Sequence, residues 1–519
     1  MGERLVAPAL GVMVLTAVVA LALLHLFARP KSDEDRARVL VRTEKFAEAE
    51  QVAARLVRAE PTVPHVLLLL DAHQRAVAAR AKADAERDHA SGAAPPMPEG
   101  EIDALVASLP PDVALVARFR RGAEEARGAL AIEAMRDPPM PWANHVLAVD
   151  ALASGDELGA ASFYLREGTV FPERRADIDE ALRCWIAASA WEEAESELAT
   201  PTVAAAASPA VRYEIAVHEH DWRTAARMLP GMWRPRIAGA TIWLAVVAAI
   251  AWAFFFARLG KLGARPRVRA PLYFAAFALG VLSVVPTMLL IAIEEAKLHL
   301  VESGSVARDL LFFVFGVGLR EEASKLLLFL PLVPLLRRFG DKLDVLVCGA
   351  MVGLGFAAEE NLGYLAEENL HTGLGRFLTA NFLHAAMTGI LASAAFDFLG
   401  DREKYAQEFF RASLFVVGLH GAYDFLIAHH ELGGSYVAMG VFVILTKLFL
   451  DAVEAARKRA DRVVGPMQAF VLALAVVTGA SFAHAIDAVG VRHGLSVMAE
   501  GLLGEGIMIV VFAHVLARL

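Results

Sequence analysis

Ten apolar runs punctuate the chain, at residues 5–27, 237–257, 271–293, 310–336, 344–364, 377–399, 409–428, 435–451, 466–486 and 495–517. Each approaches the roughly 20 residues that carry an α-helix across the hydrocarbon core of a bilayer. The last two are interrupted by polar residues. The first is long for a signal-peptide core, and the Ala-Arg-Pro-Lys that follows offers no clear small-residue cleavage site. It therefore reads as an uncleaved membrane anchor.

Between the first and second runs the pattern changes. Residues 31–235 are charged, alanine-rich and helical in period, with an apolar or aromatic residue followed by Ala three positions later. Copies stand at Phe46/Ala49, Leu158/Ala161, Trp191/Ala194 and Trp222/Ala225, the last three spaced 33 and 31 residues apart. That is close to the period of about 34 of tetratricopeptide helix pairs, although no copy carries the full consensus. Gly155-Asp156, Pro172 and Pro201 punctuate the helical pattern, and residues 91–100 and 137–141 read as loops. The expected fold is all-α: a polytopic transmembrane helix bundle with an N-terminal soluble, tetratricopeptide-like domain. The boundaries fall at 1–30 for the anchor, 31–235 for the soluble domain and 236–519 for the membrane domain. The soluble domain is expected to make protein contacts rather than to do chemistry.

Composition agrees with a membrane protein. Hydrophobic residues make up 57% of the 519, and mean hydropathy is +0.47. The net charge is −9, with Lys and Arg gathered between apolar runs rather than on one basic face, so nucleic-acid binding has no support. Cys184 and Cys348 are the two cysteines, which excludes a disulfide framework. Basic loops (Arg258 to Arg269, Arg337 to Lys342, Arg457 to Arg462) alternate with acidic or near-neutral ones. The excess of positive charge on cytoplasmic loops puts the basic loops in the cytoplasm and the soluble domain outside it, in a cell-membrane protein. Arg29 and Lys31 weigh against that orientation.

Four consecutive runs carry polar residues that hydropathy alone would exclude. The run 310–336 holds Arg320, Glu321, Glu322 and Lys325. Glu321 and Lys325 lie one helical turn apart and are expected to pair, whereas Glu322 lies about 100° round the helix with no local partner. The next run reads VGLGFAAEENLGYL, with Glu359, Glu360 and Asn361. The next, ANFLHAAMTGIL, sets Asn381, His384 and Thr388 on one face. The last, VVGLHGAYDFLI, puts His420 and Asp424 one turn apart. Ionisable groups inside a bilayer are costly and are usually kept for function. A helical rise of about 1.5 Å per residue sets them at compatible depths, between the midplane and the outer leaflet. Carboxylates and two imidazoles meeting there make a site for hydrolysis, with Glu322 the expected general base and Asp424 orienting His420. Glu294, Glu295, His429 and His430 sit at span ends and read as interfacial. His484, Asp487, Glu500, Glu505 and His514 acquire no role.

The elements EEASK (321–325), GFAAEENLGY (355–364), HAAMTG (384–389) and HGAYD (420–424) resemble, in order and on successive spans, those of the PrsW family of intramembrane proteases. The resemblance covers about residues 270–430. It implies membrane-embedded proteolysis of a membrane-anchored protein substrate, in the best-known members the first cut of an anti-sigma factor. It also implies kinship with the CAAX-type prenyl proteases. Carried over residue by residue, Glu321 and Glu322 match the signature pair, and Glu360, His384 and His420 match later polar positions. The family's metal dependence implies a divalent ion such as zinc, held by His384, His420 and Glu322, with Lys325, Glu359, Asn361 and Asp424 in support. The residues themselves leave two arrangements open: such a metal site, or a metal-free carboxylate-activated water with the histidines stabilising the oxyanion. An ion- or proton-coupled transporter uses similar residues, but the spans show no internal repeat. A non-catalytic scaffold presenting the soluble domain is the third alternative.

Overall fold

The computed structural model describes residues 3–27, 32–42, 45–85, 95–237, 242–298, 300, 302–367, 370–429, 434–457, 465–504 and 506–516, with some side chains inside these helices left undescribed. Among them all regular structure is helical. The chain divides into two compact units, one of residues 28–231 and one of residues 1–27 with 232–519.

In the first unit, short helices pack mainly on their neighbours in sequence, from Asp33–Arg42 through Trp222–Ile237. The alanine pattern has a local meaning. Phe46, Trp191 and Trp222 each open a helix and Leu158 is the second residue of one, so the paired alanine falls at the fourth or fifth position of its helix. Ala49, Ala161, Ala194 and Ala225 are all fully buried. A methyl group there lets the neighbouring helix approach closely. The helices are unequal in length, and a tetratricopeptide array is not established by them. The loop expected at 137–141 is non-helical, whereas that at 91–100 runs partly outside the described residues and ends inside Glu99–Ala107.

In the second unit, described helices or helix pairs overlie the ten apolar runs. Four described stretches are long and apolar enough to cross a membrane: Pro266–Glu294, Thr379–Gly400, Arg402–Ala428 and Pro466–Ile486. The last two runs are divided differently from expectation. One helix, Pro466–Gly504, extends through most of both, and Gly506–Leu516 follows.

The centre of the bundle is the helix Lys342–Glu367. Every residue from 343 to 357 is buried, which marks a helix surrounded on all sides. Its small residues make that possible. A Cβ added at Gly353 would lie 2.2 Å from the backbone oxygen of His384, so only glycine lets the Leu370–Gly400 helix come so close. Around it, Trp252, Phe255, Phe256, Phe382, Phe442, Phe449 and Phe512 form the aromatic heart of the core. At the end bearing the basic loops, Arg269 is not a loop charge. It is buried and donates to Asp344 at 2.6 Å, while the Tyr273 hydroxyl donates to the same carboxylate at 2.9 Å.

Candidate active site

The segment 306–339 is helical throughout but not uniform. A π-helical stretch, Phe312–Gly318, precedes the α-helix Leu319–Phe329, and a 3-10 turn with Pro331 follows it. Proline cannot donate to the α ladder, which accounts for the tight turn. Wide π turns inside α-helices often lie beside functional groups. Here the wide stretch meets the helix Arg402–Ala428 at glycines. A Cβ at Gly421 would fall 2.4 Å from Val314 Cα, and one at Gly318 would fall 2.7 Å from the Val417 oxygen. Two backbones in contact bring His420 to the glutamates.

Lys325 is the hub. It is fully buried, with Nζ 2.8 Å from Glu322 Oε1, 3.3 Å from Glu321 Oε2 and 2.9 Å from His384 Nδ1. The ammonium also lies 4.0 Å from the centre of the Phe356 ring, a cation–π contact. The expected Glu321–Lys325 pair is therefore present, but Glu322 is the nearer carboxylate. Positions i and i+3 face each other on a helix as well as i and i+4, so one lysine serves both glutamates.

The two glutamates differ. Glu322 has no exposed surface, and both its oxygens are engaged: Oε1 by Lys325 and by His420 Nδ1 at 3.0 Å, Oε2 by the Thr388 hydroxyl at 3.1 Å. Glu321 keeps some exposure, and its Oε2 lies 3.5 Å from His420 Nε2. That nitrogen also faces Asp424 Oδ2 at 3.3 Å. His384 and His420 meet edge to face with ring centres 5.1 Å apart, and His384 Nε2 lies 2.9 Å from Glu360 Oε2. Asn361 donates to Asn381 at 3.2 Å, tying together the two helices that carry Glu360 and His384. Arg320 donates to Glu294 at 2.7 Å, which makes Glu294 a partner of the site helix rather than only an interfacial charge. Glu359 is buried and points elsewhere, into an apolar groove of about 510 Å³ lined also by Ala249, Ile250, Phe274, Phe277 and Ala358.

Of the residues singled out from sequence, Glu321, Glu322, Lys325, Glu360, His384, His420 and Asp424 thus converge. Phe356, Gly318 and Gly421 were not singled out, because ring faces and backbone approaches leave no chemical signature in a sequence. Glu295, His430, Asp487, Glu500 and Glu505 lie outside the described side chains.

From sequence alone Glu322 is expected with the two histidines as a metal triad. In the fold the carboxylate whose oxygen converges with both imidazoles is Glu321; donor atoms of Glu321, His384 and His420 all lie within 4.8 Å of one another. By number and spacing this trio can hold a divalent ion. The hydrogen bonding around it does not suit one. An ammonium has only protons to offer, so Lys325 claims the Nδ1 lone pair of His384, and the ring proton belongs on Nε2, facing Glu360. A neutral imidazole so placed has no lone pair left for a metal. His420 Nε2 is different: it is buried and receives no hydrogen bond. One imidazole of the pair fits a metal, and the other does not.

Residues 269–449 match the model of the PrsW family intramembrane metalloprotease. Over 154 residues the chain is 29% identical to the protease PrsW of Clostridioides difficile (strain 630), a stretch covering 28% of this chain and 64% of that relative. The chain thus spans less than two thirds of that relative's length. No solved structure matches. Its four sequence elements stand on adjoining helices with their side chains in one cluster, and it is over residues 269–449 that the chain is similar to the PrsW family.

Proposed function

We propose that this chain is an intramembrane peptidase that hydrolyses membrane-anchored proteins, with Glu321 as the general base. The observation that carries the assignment is the inequality of the glutamates. Glu322 is committed through both oxygens, whereas Glu321 retains access and faces an imidazole. Glu321 takes a proton from water, the hydroxide oxygen attacks the peptide carbonyl, and His420, beside Glu321, passes the proton to the departing amine. The Nε2–H of His384 and the charge of Lys325 supply the positive field where the carbonyl oxygen becomes an anion. Glu322 is a positioning residue: it holds Lys325, His420 and the Thr388 hydroxyl. No step here is routed through a metal, because His384 as hydrogen-bonded does not offer a ligand.

The helical unit 28–231 lies outside the cytoplasm in this proposal and selects or presents protein substrates. The apolar groove that ends at Glu359, next to Glu360, supports lateral entry of a substrate span from the bilayer. The test is reconstitution in proteoliposomes with single-span candidate substrates. Cleavage by the wild type that is lost in Glu321→Gln supports the assignment. Full cleavage by an inserted Glu321→Gln chain removes Glu321 from the chemistry, and net ion flux without cleavage makes the protein a transporter.

A further inference from the structure

Beyond the central cluster, one further group of side chains has the composition of a binding site. It lies where the segment 306–339 begins and the helix Arg402–Ala428 ends. Asp309 has no exposed surface, although it sits beside a loop. Its Oδ1 accepts from the backbone N–H of Ser303 at 2.7 Å and from the Ser303 hydroxyl at 2.9 Å. These two bonds fix the carboxylate through Oδ1. Oδ2 is buried and receives no hydrogen bond. It faces His429 Nε2 at 3.3 Å, out of line for a hydrogen bond. Exposed Glu302 completes the group, with one donor atom from each of the three within 4.8 Å of the others.

We infer that Glu302, Asp309 and His429 form a second site, for a divalent metal ion such as zinc. A buried carboxylate oxygen without a donor needs an explanation, and a cation supplies it. The spacing agrees. Bonds of about 2.0–2.2 Å in a tetrahedron set neighbouring donors roughly 3.3–3.5 Å apart, which is the Asp309–His429 separation. Two carboxylates and one imidazole are ordinary zinc ligands, and exposed Glu302 leaves an entry path for the ion and for water as a fourth ligand.

The position gives the ion a task. Asp309 lies twelve residues before Glu321 and His429 nine after His420, so the ion joins the outer ends of the two helices that supply those side chains. At about 1.5 Å per residue it sits roughly 13 Å along the helix from His420, too far to touch the reaction but well placed to hold the two helices in register.

The experiment is zinc titration of the purified full-length protein in detergent, with zinc content and thermal unfolding as readouts. The wild type should hold one zinc per chain and melt higher with zinc than without it. Glu302→Ala removes an exposed ligand without disturbing burial and should weaken zinc binding at least tenfold. His429→Gln should abolish stoichiometric zinc and the zinc-dependent rise in melting temperature. His384→Gln and His420→Gln, which alter the central cluster, should leave that zinc in place. If the wild type binds no zinc above the detergent blank, Asp309 and His429 form only an ion pair and the inference fails. It fails equally if Glu302→Ala and His429→Gln bind zinc as the wild type does, or if zinc is lost only with His384 or His420. Should His429→Gln prove unfolded, Glu302→Ala alone decides.

Discussion

The ammonium of Lys325 stands 2.9 Å from Nδ1 of His384. This one contact decides which nitrogen of the ring carries the proton, and with it whether the histidine is a hydrogen-bond donor or a metal ligand. A donor at Nε2 can be imitated by a side-chain amide. His384→Gln should therefore keep part of the turnover, while His384→Ala should lose it by about two orders of magnitude or more. If His384 instead ligated a metal, Gln and Ala would be equally inactive and both would lower the bound metal. Cleavage assays with metal content on the same preparations separate the two outcomes.

The glutamates should part company in the same way. Glu321→Gln should reduce turnover by roughly 100- to 10,000-fold with an unchanged melting temperature. Glu322→Gln should lose both turnover and stability, because it strips a carboxylate from a buried ammonium, an imidazole and a hydroxyl. Adding Lys325→Met to Glu322→Gln should recover part of the stability and none of the turnover. Equal melting temperatures for Glu321→Gln and Glu322→Gln would show that the positioning role is misassigned.

Orientation can be read directly. Glu101 is exposed, and both native cysteines, Cys184 and Cys348, are buried. Glu101→Cys should react with a membrane-impermeant thiol reagent in intact cells against a low background. Reaction only after lysis would move the helical unit into the cytoplasm.

The helical unit also carries a pH-dependent tie. His73 bridges the carboxylates of Glu50 and Glu99, the second at 2.9 Å. Burial by itself lowers the affinity of His73 for a proton, but the bonds to Glu99 and Glu50 outweigh it and raise the value. The Glu99 carboxylate is shifted down by its bond to His73. A raised histidine value means its stabilisation is complete below the unfolded value of about 6.5 and fades as pH climbs through the folded one. The lowered Glu99 value makes its own share present above the ordinary carboxylate range and lost in acid. The melting temperature of the wild type should exceed that of His73→Gln by roughly 2–4 °C near pH 6, and the gap should close toward pH 9. A gap that widens with pH would contradict the sign of the tie.

How much of this was legible in the sequence varies with the physics behind it. The helices of the second unit follow from runs of apolar residues, since a helix in lipid must be apolar along its length. The cluster follows from charges placed where lipid should forbid them. The roles inside the cluster do not, because Glu321 and Glu322 are identical in type and adjacent in sequence. Only the neighbours that the fold supplies tell them apart: Thr388 and His420 engage both oxygens of Glu322, while Glu321 keeps some exposure. His429 reads as an interfacial charge for the same reason: its partnership with Asp309 spans 120 residues of sequence.

The glycine contact between Gly421 and Val314 has a consequence for mutational surveys. A methyl group at position 421 has nowhere to go, since backbone atoms and not flexible side chains occupy the space. Gly421→Ala must push the His420 helix away from the glutamate helix, and every titratable group would survive in a cluster that has been pulled apart. An activity screen would then rank a residue with no chemistry beside Glu321, the proposed general base. Loss of function along this seam therefore marks distance between two main chains, and only a substitution that keeps side-chain volume while changing protonation speaks to the reaction itself.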